Sequence, residues 1–375
     1  MTQKHIVIII GTRPEAIKLA PVYLAIKSEP HTKVTLVATA QHRQMLDQVL
    51  STFSIKADID LDIMRPNQSL SEVSCQVIVG VQKVLAELKP DAVLVQGDTT
   101  TCLCSAIAAF YEQIPVGHVE AGLRTYNLKA PWPEEMNRRL ADPISRWCFA
   151  PTSRAAGNLR AERIPAENIF MTGNTVIDAL LRARDIIRQQ RPKISELADG
   201  LLDEHRLILV TGHRRESFGK AFEEFCQALR QIVQDHEDTV LVYPVHLNPN
   251  VQKPVNKILG KLERIYLISP VEYLQFVYLM DRSYLIITDS GGIQEEAPSL
   301  HKPVLVTREA TERPEAVEAG LAKLVGTSKE KITTEASHLL TDTDAYTSMS
   351  GGGNPYGDGR ASEKIVEILS STITA

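Results

Sequence analysis

Short apolar runs recur along the whole chain, and longer amphipathic stretches separate them. Apolar runs of about four to eight residues are typical of buried strands, whereas apolar positions at helical spacing are typical of helices. Their alternation predicts βαβ units and parallel sheets that are covered on both faces. The ten predicted strands cover residues 5–10, 33–38, 91–96, 115–120, 146–150, 207–211, 239–243, 264–268, 284–288 and 303–307.

Five predicted strands lie in each half of the chain, so the pattern predicts two Rossmann-like α/β domains. A length of 375 residues is sufficient for two domains that each bury a core. We predict one domain over residues 1–173 and a second over residues 174–355. A glycine-rich loop at residues 350–359 precedes an amphipathic helix, and we expect that helix, residues 360–375, to cross back to the first domain.

Composition and charge narrow the class of protein. Hydrophobic residues make up 43% and charged residues 23% of the chain, as in soluble globular proteins. The net charge of -5 argues against a nucleic-acid partner, because a phosphate backbone requires a basic surface. Five cysteines without framework spacing favour a reducing cytosol, and the apolar runs are too short for a signal peptide or a membrane span. We therefore expect a cytoplasmic protein without a membrane partner.

The stretch from residue 284 to residue 315 carries a candidate anion site. An apolar run is followed directly by Ser290-Gly291-Gly292 and a helix-prone segment, which predicts a strand, a turn and a helix start. Free backbone N–H groups and the helix dipole make such a start favourable for phosphate. Glu296 falls about one and a half turns further on, where a carboxylate can accept hydrogen bonds from sugar hydroxyls. Taken alone, Ser-Gly-Gly fits a simple turn equally well.

Charged residues follow several predicted strands of the first half, where open α/β sheets bind ligands. Arg13 and Lys18 come after the first strand, with a spacing that fits neither a dinucleotide fingerprint nor a Walker loop. Asp98 is either a helix cap or a base. Glu120 ends an apolar strand and must be paired or functional, because burying a lone charge is costly. Glu134 begins a helix, where glutamate is common, so this residue alone is weak evidence for a site. Together the carboxylates of Asp98, Glu120 and Glu134 can form acid/base pairs if they converge.

Two segments of the second half add candidates. His213, Arg214 and Arg215 follow its first strand and concentrate an imidazole and two guanidiniums, which predicts an anion pocket. Phe276 is either a core aromatic or a ring that stacks on a base. These residue types fit a nucleotide ligand, but they do not by themselves identify a reaction.

Seven motifs in order give the chain a family resemblance. They are Gly-Thr-Arg-Pro-Glu-Ala at 11–16, Gly-Asp-Thr-Thr at 97–100, His-Val-Glu-Ala-Gly-Leu-Arg-Thr at 118–125, Pro-Glu-Glu-x-Asn-Arg at 133–138, Thr-Gly-His-Arg-Arg-Glu-Ser at 211–217, Pro-Val-His-Leu-Asn-Pro at 244–249 and Asp-Ser-Gly-Gly-Ile-Gln-Glu-Glu at 289–296. In order and spacing the chain resembles the bacterial non-hydrolysing UDP-N-acetylglucosamine 2-epimerases over nearly its full length. The resemblance implies a GT-B fold, with two Rossmann-like domains facing across a cleft that holds the active site.

The resemblance also implies roles by position. Catalysis would fall to Lys18, Asp98, Glu120, Glu134, Arg138 and His213. UDP would contact Arg13, Val271, Phe276, Ser290, Gly291, Gly292, Glu296 and Arg313. A second, allosteric substrate site would involve Gln41, Gln44, Arg214 and His246. The family works without nicotinamide or metal, usually as a homodimer.

The implied reaction interconverts UDP-N-acetylglucosamine and UDP-N-acetylmannosamine for surface polysaccharide synthesis. UDP leaves carbon 1, a carboxylate removes the carbon 2 proton to give 2-acetamidoglucal, and proton return and re-addition of UDP complete the epimerisation. Asp98 is the leading candidate for the base, with Glu120 or Glu134 supplying the return. Three alternatives remain: a hydrolysing 2-epimerase that releases UDP and N-acetylmannosamine, a GT-B glycosyltransferase, and a non-enzymatic nucleotide-sugar sensor.

One position departs from the family pattern. His301 stands where the family commonly has glycine ahead of Lys302-Pro303. Glycine at such a place is typical of a helix C-cap with positive φ, a conformation that histidine adopts at modest cost.

Overall fold

The computed structural model describes residues 3–39, 43–63, 65, 67–212, 214 and 219–373. The chain divides into two compact units. Unit 1 comprises Met1–Leu181 and Tyr356–Ala375, and unit 2 comprises Arg182–Pro355. Each unit contains one parallel sheet with helices, which confirms the predicted fold class. Within the described ranges, no helix has both the length and the apolarity needed to cross a membrane.

Unit 1 is built on seven parallel strands. They are β1 (Lys4–Ile10), β2 (Thr32–Ala38), β3 (Ile59–Asp60), β4 (Ala92–Gln96), β5 (Val116–Val119), β6 (Trp147–Ala150) and β7 (Ile169–Met171). Their order in the sheet is β3-β2-β1-β4-β5-β6-β7. The helices are α1 (Arg13–Lys27), α2 (Arg43–Thr52), α3 (Leu70–Leu88), α4 (Thr100–Tyr111), α5 (Glu134–Ala141), α6 (Ser153–Ala161) and α7 (Thr175–Gln189), which continues into unit 2, with short 3₁₀ turns at Asp142–Ile144 and Ala166–Asn168.

Unit 2 repeats this plan with six strands. They are β8 (Arg206–Thr211), β9 (Thr239–Pro244), β10 (Ile265–Ile268), β11 (Ser283–Thr288), β12 (Val304–Val306) and β13 (Ala322–Leu324). Their order is β10-β9-β8-β11-β12-β13. The helices are α8 (Leu201–Glu204), α9 (Lys220–Asp235), α10 (Pro249–Leu259), α11 (Tyr273–Arg282), α12 (Gly291–Glu296), α13 (Pro314–Glu318), α14 (Lys329–Thr341) and α15 (Thr343–Ser350), with a 3₁₀ turn at Ala297–Leu300.

All ten predicted strands are present, and three short strands were missed. These are β3, β7 and β13, which have two or three residues each and lie at the edges of the two sheets. Edge strands are exposed on one side, so their side chains need not be apolar; Met171 in β7, for example, is 64% exposed. The hydrophobic pattern therefore had little signal at these positions.

The last helix, α16 (Ala361–Thr372), packs on α1 and belongs to unit 1, as predicted. The buried carboxylate of Asp178 in α7 accepts hydrogen bonds from the backbone N–H groups of Ala361 (3.2 Å) and Ser362 (2.7 Å), and so caps this helix. At the other end, Trp147 Nε1 donates to Thr372 Oγ1 at 2.8 Å. These contacts fix the returning segment at both ends.

His301 ends the 3₁₀ turn Ala297–Leu300 with φ 57°, so the predicted left-handed cap is confirmed. This conformation costs an L-residue roughly 1–2 kcal/mol, and glycine at the same position would not have that cost. Glycine also has greater freedom in the unfolded chain, which offsets roughly 0.5–1 kcal/mol of the gain in stability. We expect His301→Gly to raise the free energy of unfolding by about 0.5 kcal/mol. Urea unfolding followed by circular dichroism measures this change. His301→Ala, which keeps the Cβ and removes the ring, should give no gain; an equal gain in both variants would contradict the backbone explanation.

Candidate functional site

The strand orders create a switch point in each sheet. In unit 1 the chain runs outward from β1 to β3 and then continues at β4, on the other side of β1. In unit 2 it runs from β8 to β10 and then continues at β11, on the other side of β8. Open parallel sheets bind ligands outside the carboxyl ends of the strands at such points. In unit 1 this edge carries the segments at 11–18 and 97–98, and in unit 2 it carries Gly212 and Ser290.

Glu120 is the most buried of the three candidate carboxylates. It directly follows β5, its side chain is 4% exposed, and its backbone is left-handed (φ 67°). Lys18 Nζ, from α1, donates to both carboxylate oxygens at 2.6 Å. Gln96 Nε2 also donates to this carboxylate, and Asn174 Nδ2 does so at 3.4 Å. The buried charge is therefore paired, as the sequence required, by donors from three parts of unit 1.

Asp98 lies in the turn between β4 and α4 and is 31% exposed. Its carboxylate accepts a hydrogen bond from Arg138 Nη2, and its backbone carbonyl accepts one from Asn137 Nδ2 at 2.8 Å. Thr99, rather than Asp98, is the N-cap of α4. The helix-cap reading of Asp98 is therefore wrong, and its carboxylate remains available at the edge of the sheet.

Glu134 is the first residue of α5, one turn before Arg138, and is half-buried. The sequence argument expected the three carboxylates to act on one another as neighbours. In the structure Asp98 contacts Arg138, and Glu120 contacts Lys18, so each of these two carboxylates has a cationic partner. Cations from α5 and α1 reach these positions through tertiary packing, which carboxylate spacing in the sequence does not reveal.

Buried side chains behind the site were missed as site residues. Glu15 accepts hydrogen bonds from the N–H groups of Gly11 (2.9 Å) and Thr12 (2.6 Å) and from Thr99 Oγ1 (2.6 Å). Burial raises the pKa of Glu15, and these hydrogen bonds oppose the rise. The capping-box spacing of Thr12 and Glu15 signalled the helix start but not the link to the loop after β4.

A second buried group contains His118, in β5, and Asp142. His118 Nδ1 lies 2.6 Å from Asp142 Oδ1, and Arg124 Nη2 donates to Asp142 Oδ2 at 2.6 Å. The side chains of His118, Arg124 and Asp142 are fully buried. A histidine inside an apolar strand was the available signal, since buried polar groups need partners.

The unit 2 candidates surround the start of α12. Ser290 is the N-cap of this six-residue helix, Gly291 and Gly292 are its first two residues, and Glu296 is its last. Arg313 Nε donates to the buried carboxylate of Glu295, the neighbour of Glu296 that the sequence analysis left without a role. Arg313 is therefore held beside α12.

The remaining candidates belong to several elements of both units. The Arg214 N–H donates to Asp289 Oδ2 at 2.8 Å, which joins the loops after β8 and β11. Val271 and Phe276 are half-buried at the start of α11, and His246 is exposed after β9. Arg13 begins α1 in unit 1, and Gln44 lies in α2. Gln41 and His213 lie outside the described residues.

The described part of the chain contains no group of three His, Cys, Asp or Glu side chains arranged to hold a metal ion.

Comparison with known proteins identifies the family. A family model described as UDP-N-acetylglucosamine 2-epimerase matches residues 24–370. The UDP-N-acetylglucosamine 2-epimerase of Escherichia coli (strain K12) is 56% identical over 364 residues, 96% of this chain and 97% of that protein. The crystal structure of UDP-GlcNAc 2-epimerase from Neisseria meningitidis bound to UDP-GlcNAc has a TM-score of 0.88 and 48% identity, over 98% of this chain and 100% of that chain.

A more distant structure extends the comparison. UDP-GlcNAc 2-epimerase from Methanocaldococcus jannaschii, in complex with UDP-GlcNAc and UDP, has a TM-score of 0.78 and 34% identity, over 98% of this chain and 99% of that chain. The two parallel-sheet units and their switch points thus define a GT-B-type α/β protein. Within that class, the chain belongs to the UDP-N-acetylglucosamine 2-epimerase family and has the epimerase function of that family.

Proposed function

We propose that the chain is the non-hydrolysing type of epimerase, which interconverts UDP-N-acetylglucosamine and UDP-N-acetylmannosamine as a step toward surface polysaccharides. The resemblance favours the non-hydrolysing type through the motifs His-Arg-Arg at 213–215 and Pro-Val-His-Leu-Asn-Pro at 244–249. The epimerisation chemistry is supported by the pairing at the carboxyl edge of the unit 1 sheet, where Asp98 contacts Arg138 and Glu120 contacts Lys18. Each pair joins a carboxylate, which can accept or return a proton, to a cationic side chain that holds it in place.

The proposed reaction begins with departure of UDP from carbon 1. The oxocarbenium-like centre that forms makes the carbon 2 proton much more acidic. Asp98, held by Arg138, takes this proton and leaves 2-acetamidoglucal. Glu120 or Glu134 supplies a proton to the opposite face, and UDP then adds back to carbon 1. The Lys18 ammonium donates to Glu120 at 2.6 Å and can pass a proton to this carboxylate as the carboxylate returns one to carbon 2.

We propose that unit 2 binds UDP. Gly291 and Gly292 offer backbone N–H groups at the start of α12, Ser290 offers its hydroxyl at the N-cap, and Glu296 lies at the end of the helix. Arg313 is held by Glu295 next to that helix. Preorganised donors of this kind stabilise the charge that develops on a leaving diphosphate. The remaining proposed contacts and the proposed catalytic imidazole are those that the family resemblance implies: Val271, Phe276 and His213.

We further propose that Arg214 and His246 belong to an allosteric substrate site. Arg214 follows β8 and His246 follows β9, which are adjacent strands of one sheet, so both occupy the same edge. A second nucleotide sugar bound there would regulate the enzyme if it bound one conformation of the protein more tightly than another.

The reaction is tested by proton NMR with UDP-N-acetylglucosamine as the only substrate in deuterated water. We expect UDP-N-acetylmannosamine to accumulate with deuterium at carbon 2, because the removed proton exchanges with solvent. Release of free UDP and N-acetylmannosamine would identify the hydrolysing type, and absence of any turnover without an acceptor would favour a glycosyltransferase. Product without deuterium would exclude the elimination route.

We also propose a homodimer that works in the cytoplasm. Exposed apolar side chains lie on three neighbouring helices of unit 1: Val79 on α3, Phe110 and Tyr111 on α4, and Met136 and Leu140 on α5. Such a surface is typical of a protein interface. The five cysteines are free thiols, as expected in a reducing compartment. Sedimentation equilibrium tests the dimer, and a monomer at micromolar concentration would contradict it.

A further inference from the structure

We propose that His118 is a positioning residue, held as an imidazolium between Asp142 and the Gly97 carbonyl, which fixes the turn that carries Asp98. The proposal rests on the role proposed above for Asp98 as the base at carbon 2. It adds a fully buried charged residue to the machinery of the reaction.

The first step is the hydrogen-bond geometry of the ring. His118 Nδ1 lies 2.6 Å from a carboxylate oxygen of Asp142, and Nε2 lies 2.7 Å from the carbonyl oxygen of Gly97. Both partners accept hydrogen bonds, and an ionised carboxylate and a carbonyl cannot donate. A neutral imidazole carries only one N–H, so its bare nitrogen would face an oxygen lone pair. Both contacts are satisfied only when both ring nitrogens are protonated.

The second step is the charge around the ring. Asp142 and the Cys102 thiol face His118 directly, and Glu15 and Asp98 lie near Cys102. Burial disfavours the imidazolium, but the negative charge of Asp142 and its hydrogen bond to the ring oppose this effect and raise the pKa of His118 above its ordinary value. Burial also raises the pKa of Cys102, so that thiol stays neutral and the carboxylate of Asp142 supplies the negative charge.

Asp142 is in turn kept ionised by other neighbours. Burial opposes its charge, but His118 and Arg124 lower the pKa of Asp142 below its ordinary value. Arg124 also pairs with Glu162 at 2.7 Å, and the Gly122 N–H donates to Asp142 at 3.3 Å. The Cys148 thiol donates to the Asp142 backbone carbonyl at 3.6 Å. The imidazolium is thus one member of a buried network with alternating charges.

The third step is the connection to Asp98. The Gly97 carbonyl belongs to the peptide bond that joins Gly97 to Asp98, so the imidazolium sets the orientation of that peptide. Gly97 has φ 76°, a conformation suited to glycine, and its carbonyl also accepts a hydrogen bond from Cys102 Sγ at 3.3 Å. Asn137 and Arg138 hold the Asp98 carbonyl and carboxylate from α5. His118 thereby fixes the side of this turn that α5 does not reach.

The geometry predicts a pH dependence with a definite sign. The pKa of His118 in the folded protein is above its value in the unfolded chain. The protonated ring therefore contributes its full stabilisation of the folded protein below the unfolded pKa, and this stabilisation is lost as pH rises through the folded pKa. The turn should therefore loosen, and turnover should fall, on the alkaline side of neutrality. Asp142→Asn removes the charge that holds the proton while keeping an oxygen acceptor, so this alkaline fall should move to lower pH.

The test combines spectroscopy with a mutant cycle. In ¹⁵N-histidine NMR of the whole protein near neutral pH, both ring nitrogens of His118 should be protonated, whatever the role of Asp98. We expect His118→Gln to lower kcat about 100-fold with little change in KM, since small misplacement of a reacting group has this effect. In the Asp98→Asn background the same substitution should change kcat by no more than about twofold, because it acts through Asp98. The control is His5→Asn, which changes a histidine near the amino end of β1.

Each outcome separates the inference from the proposed function. A bare ring nitrogen in the NMR spectrum, or an alkaline fall that Asp142→Asn leaves in place, would overturn the imidazolium. A loss of about 100-fold in both backgrounds would show that His118 acts independently of Asp98. Full turnover in Asp98→Asn alone would remove the proposed base, while the NMR result would still decide the state of His118. Asp142→Asn also keeps the test available if His118→Gln does not fold.

Discussion

Replacing Asp98 with asparagine is expected to lower kcat about 10²- to 10⁴-fold, because an amide cannot accept the carbon 2 proton. The substitution keeps the size of the side chain and an oxygen that can still accept from Arg138. The Asn137 hydrogen bond to the backbone carbonyl is also retained. UDP affinity, measured by calorimetry, should therefore remain close to that of the wild type.

Asp91→Asn is the matched control for this variant. Asp91 directly precedes β4 and accepts the His5 N–H at 2.6 Å, whereas Asp98 follows the same strand at its other end. The control should keep most of its turnover, since only the carboxyl edge carries the proposed chemistry. If Asp98→Asn retained wild-type kcat, Asp98 would not be the base, and loss of UDP binding would point to a structural role instead.

Replacing Lys18 with methionine is expected to lower the stability of unit 1 by about 3 kcal/mol, because it leaves the carboxylate of Glu120 buried without its cation. The side chains of Lys18 and Glu120 are only 15% and 4% exposed, so water does little to replace the lost partner. The two tryptophans, Trp132 and Trp147, both belong to unit 1. Urea unfolding followed by tryptophan fluorescence therefore reports on this unit.

Two further variants make the Lys18 result specific. Lys364→Met removes an exposed ion pair of unit 1, with Asp358 at 3.2 Å, and should cost less than about 1 kcal/mol. Combining Lys18→Met with Glu120→Gln should recover much of the lost stability, because it removes both charges of the buried pair. Equal losses for Lys18→Met and Lys364→Met, or no recovery in the double variant, would contradict the buried-pair explanation.

Much of the fold could be predicted because its causes are local. The apolar runs identified the ten central strands, and the Thr12–Glu15 spacing identified the capping box that begins α1. The apolar positions of α9, from Phe222 to Val233, are buried as their helical spacing predicted. The glycine that the family has at the position of His301 correctly predicted a left-handed cap there. Each of these features depends on residues that are near one another in the chain.

The sequence by itself determined the class of fold, the family and the candidate carboxylates, since motif order and hydrophobic period are properties of the chain. Only the tertiary structure decided which charges meet: Lys18 lies 102 residues before Glu120, and Arg138 lies 40 residues after Asp98. It also placed β4 beside β1, and His118 behind the turn that carries Asp98. Such pairings depend on how strands are ordered and helices packed, and the local pattern of polar and apolar residues does not encode that order.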